Sequence, residues 1–241
     1  MRFSVLLLLM AIGLAHGQTS TPLASSEELY EGPEFKKAFA NPNDREDLPR
    51  VLLIGDSISI GYTVDVRKKL AGKANVHRIP GNGQTASYGA EELPKWIGDT
   101  RWDIIHFNWG LWDLCYRHPE SKAQGKRDKV NGTVSSTPKQ YRKDLEACVV
   151  QLKKTGAKLI WCAITPVPEG EAGRKVGDDL KYNTIAAEIM NRHGIAINDL
   201  HSHALEKLPD IATKPGDVHF NHAGNVWLAE KVASEIEKAL E

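Results

Sequence analysis

The sequence predicts a three-layer α/β/α sandwich around a central, mainly parallel five-stranded sheet, and three observations carry that prediction. Five short apolar runs recur, at 51–54, 75–79, 104–107, 159–164 and 195–197. Stretches with helical spacing lie between them, and strands alternating with helices fold into a parallel sheet covered on both faces. The first run, Val51-Leu52-Leu53-Ile54, is apolar throughout instead of alternating, as a strand buried on both sides must be.

The chain has 241 residues, a size suited to one domain, with 41% hydrophobic and 26% charged residues. Lys and Arg number 31, as do Asp and Glu, so no global field favours nucleic acid or a membrane surface. At the N-terminus Arg2 precedes an apolar run over 3–14, broken by Ser4 and Gly13, and Ala15-His16-Gly17 offers small residues for cleavage. A membrane span needs roughly 20 apolar residues. The expectation is a cleavable signal peptide over 1–17, a secreted or periplasmic protein and no stable membrane anchor. Residues 18–48 are polar and broken by Pro22, Pro33 and Pro42, which predicts a loose lead-in with one short helix near 34–39. The globular domain is expected over 49–241.

Within that domain a helix is expected over 60–71, following the turn after the first strand. Residues 141–152 place Leu145, Val149 and Leu152 on one helical face, and Thr137-Pro138 is a start signal. A helix over 180–192 stops at Gly194. Ala229, Val232, Ala233 and Ile236 give the last helix its apolar stripe. The segment 115–136 reads as a long irregular loop, with Arg117, Lys122, Lys126, Arg127 and Lys129 against Glu120 and Asp128. It is either a functional lid able to guide an anion or a solvated basic loop. Asn131-Gly132-Thr133 fits a glycosylation sequon. Of the three cysteines, Cys162 lies in an apolar run and is expected to be buried. Spacing leaves open whether Cys115 and Cys148 pair.

Four clusters fall at predicted strand ends or in the terminal loop. Gly55-Asp56-Ser57 follows the first strand, where a sharp strand-to-helix turn exposes a serine to a base and to helix N–H groups. The same serine would also serve as a plain helix cap. Gly81-Asn82-Gly83-Gln84-Thr85 follows the second strand, and glycines there let backbone N–H groups approach a reacting oxygen. Asn108-Trp109-Gly110-Leu111-Trp112-Asp113 ends the third, and Asp217-Val218-His219-Phe220 precedes the last helix. A G-x-S-x-G elbow is absent. Asp199, His201 and His203 form a string that resembles metal ligands, and His219 and His222 are three apart, but Asp199 stands where a helix cap is expected and alternating histidines suit a polar surface, so the expectation is no metal.

In order and position these clusters resemble the blocks of the SGNH (GDSL-like) hydrolases, over roughly residues 50–241. The resemblance implies the flavodoxin-like fold of that family and an ester hydrolase. It makes Ser57 the nucleophile, His219 the general base, and Gly83 and the Ser57 N–H oxyanion donors. Two departures stand out. The family's Gly-x-Asn-Asp block has tryptophan at its third position here, so Trp112 would donate its indole N–H or form a wall, with Asn108 an alternative donor. The family's Asp-x-x-His has Gly216 at the acid's place, and Asp217 stands two residues before the histidine. Asp217 is the expected orienting acid, and a Ser–His dyad oriented by a backbone carbonyl is the alternative. Such chemistry needs no cofactor. The resemblance also implies a small-molecule or glycan ester as partner, with carbohydrate O-deacetylation the leading expectation. Trp109, Trp112 and Tyr116 would offer a surface for sugar. A lysophospholipase or short-chain lipase, or a carbohydrate-binding protein on a retired hydrolase fold, is the alternative.

Overall fold

The five apolar runs form the strands of a single parallel sheet in the computed structural model, which describes residues 29–30 and 32–241. The expected signal peptide lies outside the described residues. The strands are β1 (Arg50–Ile54), β2 (Asn75–Arg78), β3 (Ile104–Phe107), β6 (Lys158–Cys162) and β7 (Ala196–Asn198), in the order β2-β1-β3-β6-β7. Leu52 lies beside Ile105, and Ile105 beside Leu159, so the apolar runs are in register across the sheet. Val51 to Ile54 are at most 2% exposed, which explains why their pattern shows no alternation.

Two helical layers cover the sheet. On one face α2 (Ser57–Lys69) packs against α7 (His222–Leu240), which in turn meets α6 (Leu200–Leu205). On the other, α3 (Ala86–Ile97), α4 (Pro138–Lys153) and α5 (Asp178–His193) pack in sequence. Leu228, Ala229, Val232, Ala233 and Ile236 are the buried stripe of α7. Several starts are capped by the side chain before them: Thr85 Oγ1 accepts from Tyr88 N, Thr137 Oγ1 from Gln140 N, and Asn221 Oδ1 from Gly224 N. Gly194 ends α5 at φ 65°, in the left-handed region open to glycine.

Two segments differ from their expected looseness. The lead-in forms a 3₁₀ turn (Pro33–Phe35) and α1 (Lys36–Phe39), and Ala38 is 2% exposed. Asp44 accepts from Arg50 and is bound to His77, both at 2.6 Å, while Asn75 Nδ2 donates to Arg45 O and Leu48 O. Polar side chains of β1 and β2 thus hold a segment whose own composition is loop-like. The second is 115–136, where β4 (Tyr116–Arg117) pairs antiparallel with β5 (Thr133–Val134). Tyr116 N donates to Gly173 O at 2.6 Å and Lys129 N to Ala172 O at 2.9 Å. Strands of two residues are too short to show an alternating pattern, so the sequence reads as irregular. All three cysteines are buried and free.

Candidate active site

In the order β2-β1-β3 the chain leaves β1 for one side of the sheet and returns on the other, so the carboxyl ends of β1 and β3 flank a switch-point crevice. Ser57 is the first residue of α2, at the mouth of that crevice, and is 7% exposed. Asp56 Oδ1 caps α2 by accepting from Ile58 N at 3.0 Å, and burial pushes the Asp56 carboxyl up from its ordinary value. At the first helical position the Ser57 N–H has no intrahelical partner and stands at the positive end of the helix. The turn is clamped from below by Arg78, which is 2% exposed. Its Nη2 donates to Gly55 O at 2.8 Å, to Ser59 Oγ at 2.7 Å and to Asp56 O at 3.2 Å. Burial pulls the Arg78 pKa down to about 9, so it stays charged at neutral pH. The Phe39 ring of the lead-in lies 5.3 Å from its guanidinium carbon.

His219 Nε2 is 2.9 Å from Ser57 Oγ, and His219 Nδ1 is 2.6 Å from Asp217 Oδ1. A hydrogen on Nδ1 donated to Asp217 leaves the Nε2 lone pair to accept the serine hydroxyl. The two-residue spacing works because the loop is tightly closed. Ala212 bridges Phe220, Thr213 N donates to His219 O, and Gly216 turns at φ 74°. The same Asp217 oxygen then also accepts from His219 N at 3.1 Å. Burial raises the Asp217 pKa, but the hydrogen bonds and charge of His219 outweigh it and bring it to about 2. The carboxylate is therefore ionised at any pH near neutral.

Of the expected oxyanion donors, the Gly83 N–H and one hydrogen of the Asn108 amide are engaged elsewhere. Gly83 N donates to Gly55 O at 2.9 Å, and a Cβ on Gly83 would meet that same oxygen at 2.9 Å. Its glycine character serves close packing of two turns. Asn108 Nδ2 donates to Cys162 O at 2.6 Å, tying β3 to β6. Trp112 remains: it lines the cleft with Ser57 and His219, and its indole N–H has no hydrogen-bond partner among the described residues. Asp113, fully buried, accepts from Ala86 N at 3.1 Å and Ser136 Oγ at 2.9 Å and so fixes this block against α3. Burial pushes its pKa up to about 7.

The cleft has a volume of about 30 Å³. Besides Ser57, Trp112 and His219 it is walled by Tyr30, Gln124, Arg127 and Arg174. The Tyr30 ring lies 4.8 Å from the His219 ring at 30°. Trp109 and Tyr116 do not form the expected sugar platform. Trp109 is fully buried and donates to Gly83 O at 3.0 Å, while Lys175 Nζ sits 4.1 Å above the Tyr116 ring. The histidine string is dispersed. Asp199 caps α6, His201 binds Asp179 at 2.8 Å, and His203 stacks on Trp227.

Sequence reading gathers Ser57, His219, Asp217 and Trp112 into one cleft but misses Arg78, Arg174 and Tyr30. Arg78 alternates into a strand like any edge cation, and Tyr30 lies in polar surroundings. Nothing in their neighbours marks them. Arg127 has a partial signal, the basic excess of its loop.

No protein-family model matches the chain. An acetylxylan esterase from Xylanibacter ruminicola is 25% identical over 223 residues, covering 81% of this chain and 44% of that protein. The chain thus spans less than half of that curated relative. Among solved structures, the acetyl xylan esterase AlAXEase superposes with a TM-score of 0.62 at 20% identity, covering 78% of this chain and 99% of the other. A lipase/acylhydrolase from Enterococcus faecalis gives 0.63 at 18% identity, with 79% and 96% covered. A GDSL-like lipase from Bacteroides thetaiotaomicron gives 0.58 at 19%, with 86% and 95% covered.

Proposed function

From the SGNH-hydrolase fold that the chain carries, we propose that it is a secreted serine esterase that removes acetyl groups from a carbohydrate. The observation that carries the reading is the relay from Ser57 through His219 to Asp217, with separations of 2.9 and 2.6 Å. In this reading His219 Nε2 takes the Ser57 proton as Oγ attacks the ester carbonyl. Asp217 keeps the imidazole in the right tautomer and stabilises its cation. The tetrahedral oxyanion is held by the Ser57 N–H and the Trp112 indole N–H, which have no hydrogen-bond partner among the described residues. His219 then gives its proton to the leaving alcohol, and water repeats the sequence on the acyl-enzyme.

The acetylxylan esterase relative supports an acetyl group as the acyl part and a sugar alcohol as the leaving group. Export rests on the apolar leader over 1–17. Among the described residues no helix is long and apolar enough to cross a membrane. The test is hydrolysis of p-nitrophenyl acetate and octanoate by the protein and its Ser57→Ala variant. Acetate turnover that disappears in the variant is the expected result. A preference for octanoate moves the substrate to lipids, and equal rates for the two proteins on both esters overturn the serine mechanism.

A further inference from the structure

The basic segment over 115–136 meets the catalytic block at Trp112. The Arg117 guanidinium carbon lies over the Trp112 ring, 4.9 Å from its centre. A tightly closed backbone places Arg117 there. β4 pairs it with Thr133, and an antiparallel bridge joins it to Arg127. His118 N donates to Lys126 O at 2.8 Å and Asp128 N to Tyr116 O at 3.0 Å, framing that bridge. Gly132 packs on the same residue, since a Cβ there would lie 2.8 Å from Arg117 O. The side chain is tied as well, with Nη1 donating to Gly125 O.

The backbone beneath the ring is also fixed. Leu114 N donates to Gly110 O at 2.9 Å, Cys115 N donates to Trp112 O at 3.4 Å, and Asp113 is bound to Ala86 N and Ser136 Oγ. These bonds leave open the rotation of the indole about χ2, a broad torsion in aromatic side chains. That rotation decides where the N–H points. An oxyanion donor acts by being aimed before the charge develops. A cation lying on the face of an indole is attracted to the ring and opposes its turning. Arg117 is not one of the described residues that line the cleft, whereas Trp112 is, so it reaches the reacting atoms by way of the ring.

Building on the esterase reading, we propose that Arg117 is a positioning residue, whose guanidinium lies on Trp112 and holds the indole N–H where the oxyanion forms. The basic segment then serves the reaction through this stack.

Steady-state kinetics on p-nitrophenyl acetate compares the parent with Arg117→Met, Trp112→Phe and the variant carrying both. Methionine keeps an unbranched stem and removes the planar cation. Arg117→Met is expected to lower kcat roughly three- to thirtyfold with little change in KM. Arg117→Lys, which keeps a cation, recovers part of that loss. In the Trp112→Phe background, Arg117→Met changes kcat by less than about twofold, because the donor it positions is already gone. An equal loss in both backgrounds is what a merely structural Arg117 gives, and it overturns the proposal. A parent-like kcat in Arg117→Met overturns it too. Should Arg117→Met not fold, Arg117→Lys carries the same comparison, with a smaller loss beside Trp112 and none beside phenylalanine.

The stack is also read without turnover. In ¹H–¹⁵N spectra the Trp112 indole cross-peak is identified by its loss in Trp112→Phe. It is expected to move in Arg117→Met, and a cross-peak that stays in place overturns the stack. The two readings fail separately. A parent that hydrolyses no ester refutes the esterase, and the role of Arg117 falls with it. A parent that hydrolyses the acetate while the two substitutions act additively refutes the role of Arg117 alone.

Discussion

Trp112 stands at the third position of the block that resembles the Gly-x-Asn-Asp of SGNH hydrolases, and tryptophan in place of asparagine is a chemically narrower exchange than it looks. Indole has one N–H donor and no acceptor, so it can replace a single donated hydrogen bond and nothing more. Gly83 N–H donates to Gly55 O and one Asn108 amide hydrogen to Cys162 O, and the proposed mechanism assigns the oxyanion to Trp112 and the Ser57 N–H. Trp112→Phe keeps an aromatic wall and removes the donor. Steady-state kinetics on p-nitrophenyl acetate is expected to show kcat lowered by about 10²–10³ with little change in KM. Unchanged kcat would assign Trp112 to the wall alone. At this scale the sequence is legible where chemistry is written in residue type and order. Ser57, His219 and Asp217 are found that way, and the structure brings their side chains into one chain of hydrogen bonds. It is illegible where a backbone bond decides. No sequence feature says that the Gly83 N–H turns toward Gly55, because that depends on how closely two loops pack.

The elements carry these residues by clamps that have no catalytic duty. Arg78 on β2 binds both carbonyls of the Gly55-Asp56 turn, and Asp113 joins the end of the third-strand block to the first turn of α3. Asp113 has a folded pKa near 7 against an ordinary value of 3.8. The folded protein therefore binds this proton more tightly than the unfolded chain does. Its contribution favours the fold below about pH 4 and is lost as the pH rises through 7. Asp113→Asn keeps one acceptor oxygen and abolishes the titration. Denaturant unfolding is expected to show the variant gaining on the parent between pH 5 and pH 8, by on the order of 2–4 kcal/mol. A difference between the two proteins that is constant over this range would contradict it. The five strands are legible because each apolar run is long enough to register. The β4–β5 hairpin is not, since its order comes from bonds to Gly173 and Ala172 more than fifty residues away from Tyr116 or forty from Lys129.

At the scale of the molecule, the crevice at the ends of β1 and β3 is closed from three directions that are far apart in the chain. Tyr30 comes from the lead-in, Arg127 and Arg174 are joined through Glu171, and His219 comes from the terminal loop. The alternation of strands and helices makes the layered architecture legible from composition and spacing alone. The lead-in is not, because Pro-broken polar sequence gives no sign that Asp44, Ala38 and Phe39 lie against the sheet and the Arg78 clamp. Stability rests on this packing without covalent staples, since Cys115, Cys148 and Cys162 are all free. Burial raises the Cys148 and Cys162 thiols, which keeps them protonated and unreactive. Thermal unfolding with and without dithiothreitol is therefore expected to give the same Tm, and a fall of several degrees on reduction would reveal a disulfide.

If His219 makes Ser57 a nucleophile, covalent labelling by a fluorophosphonate followed by peptide mass spectrometry reads it at the atom concerned. The expected result is one label per chain, on the peptide that holds Ser57, forming far more slowly in the His219→Ala variant. A label on another serine, no label, or equal labelling rates in the two proteins would contradict it.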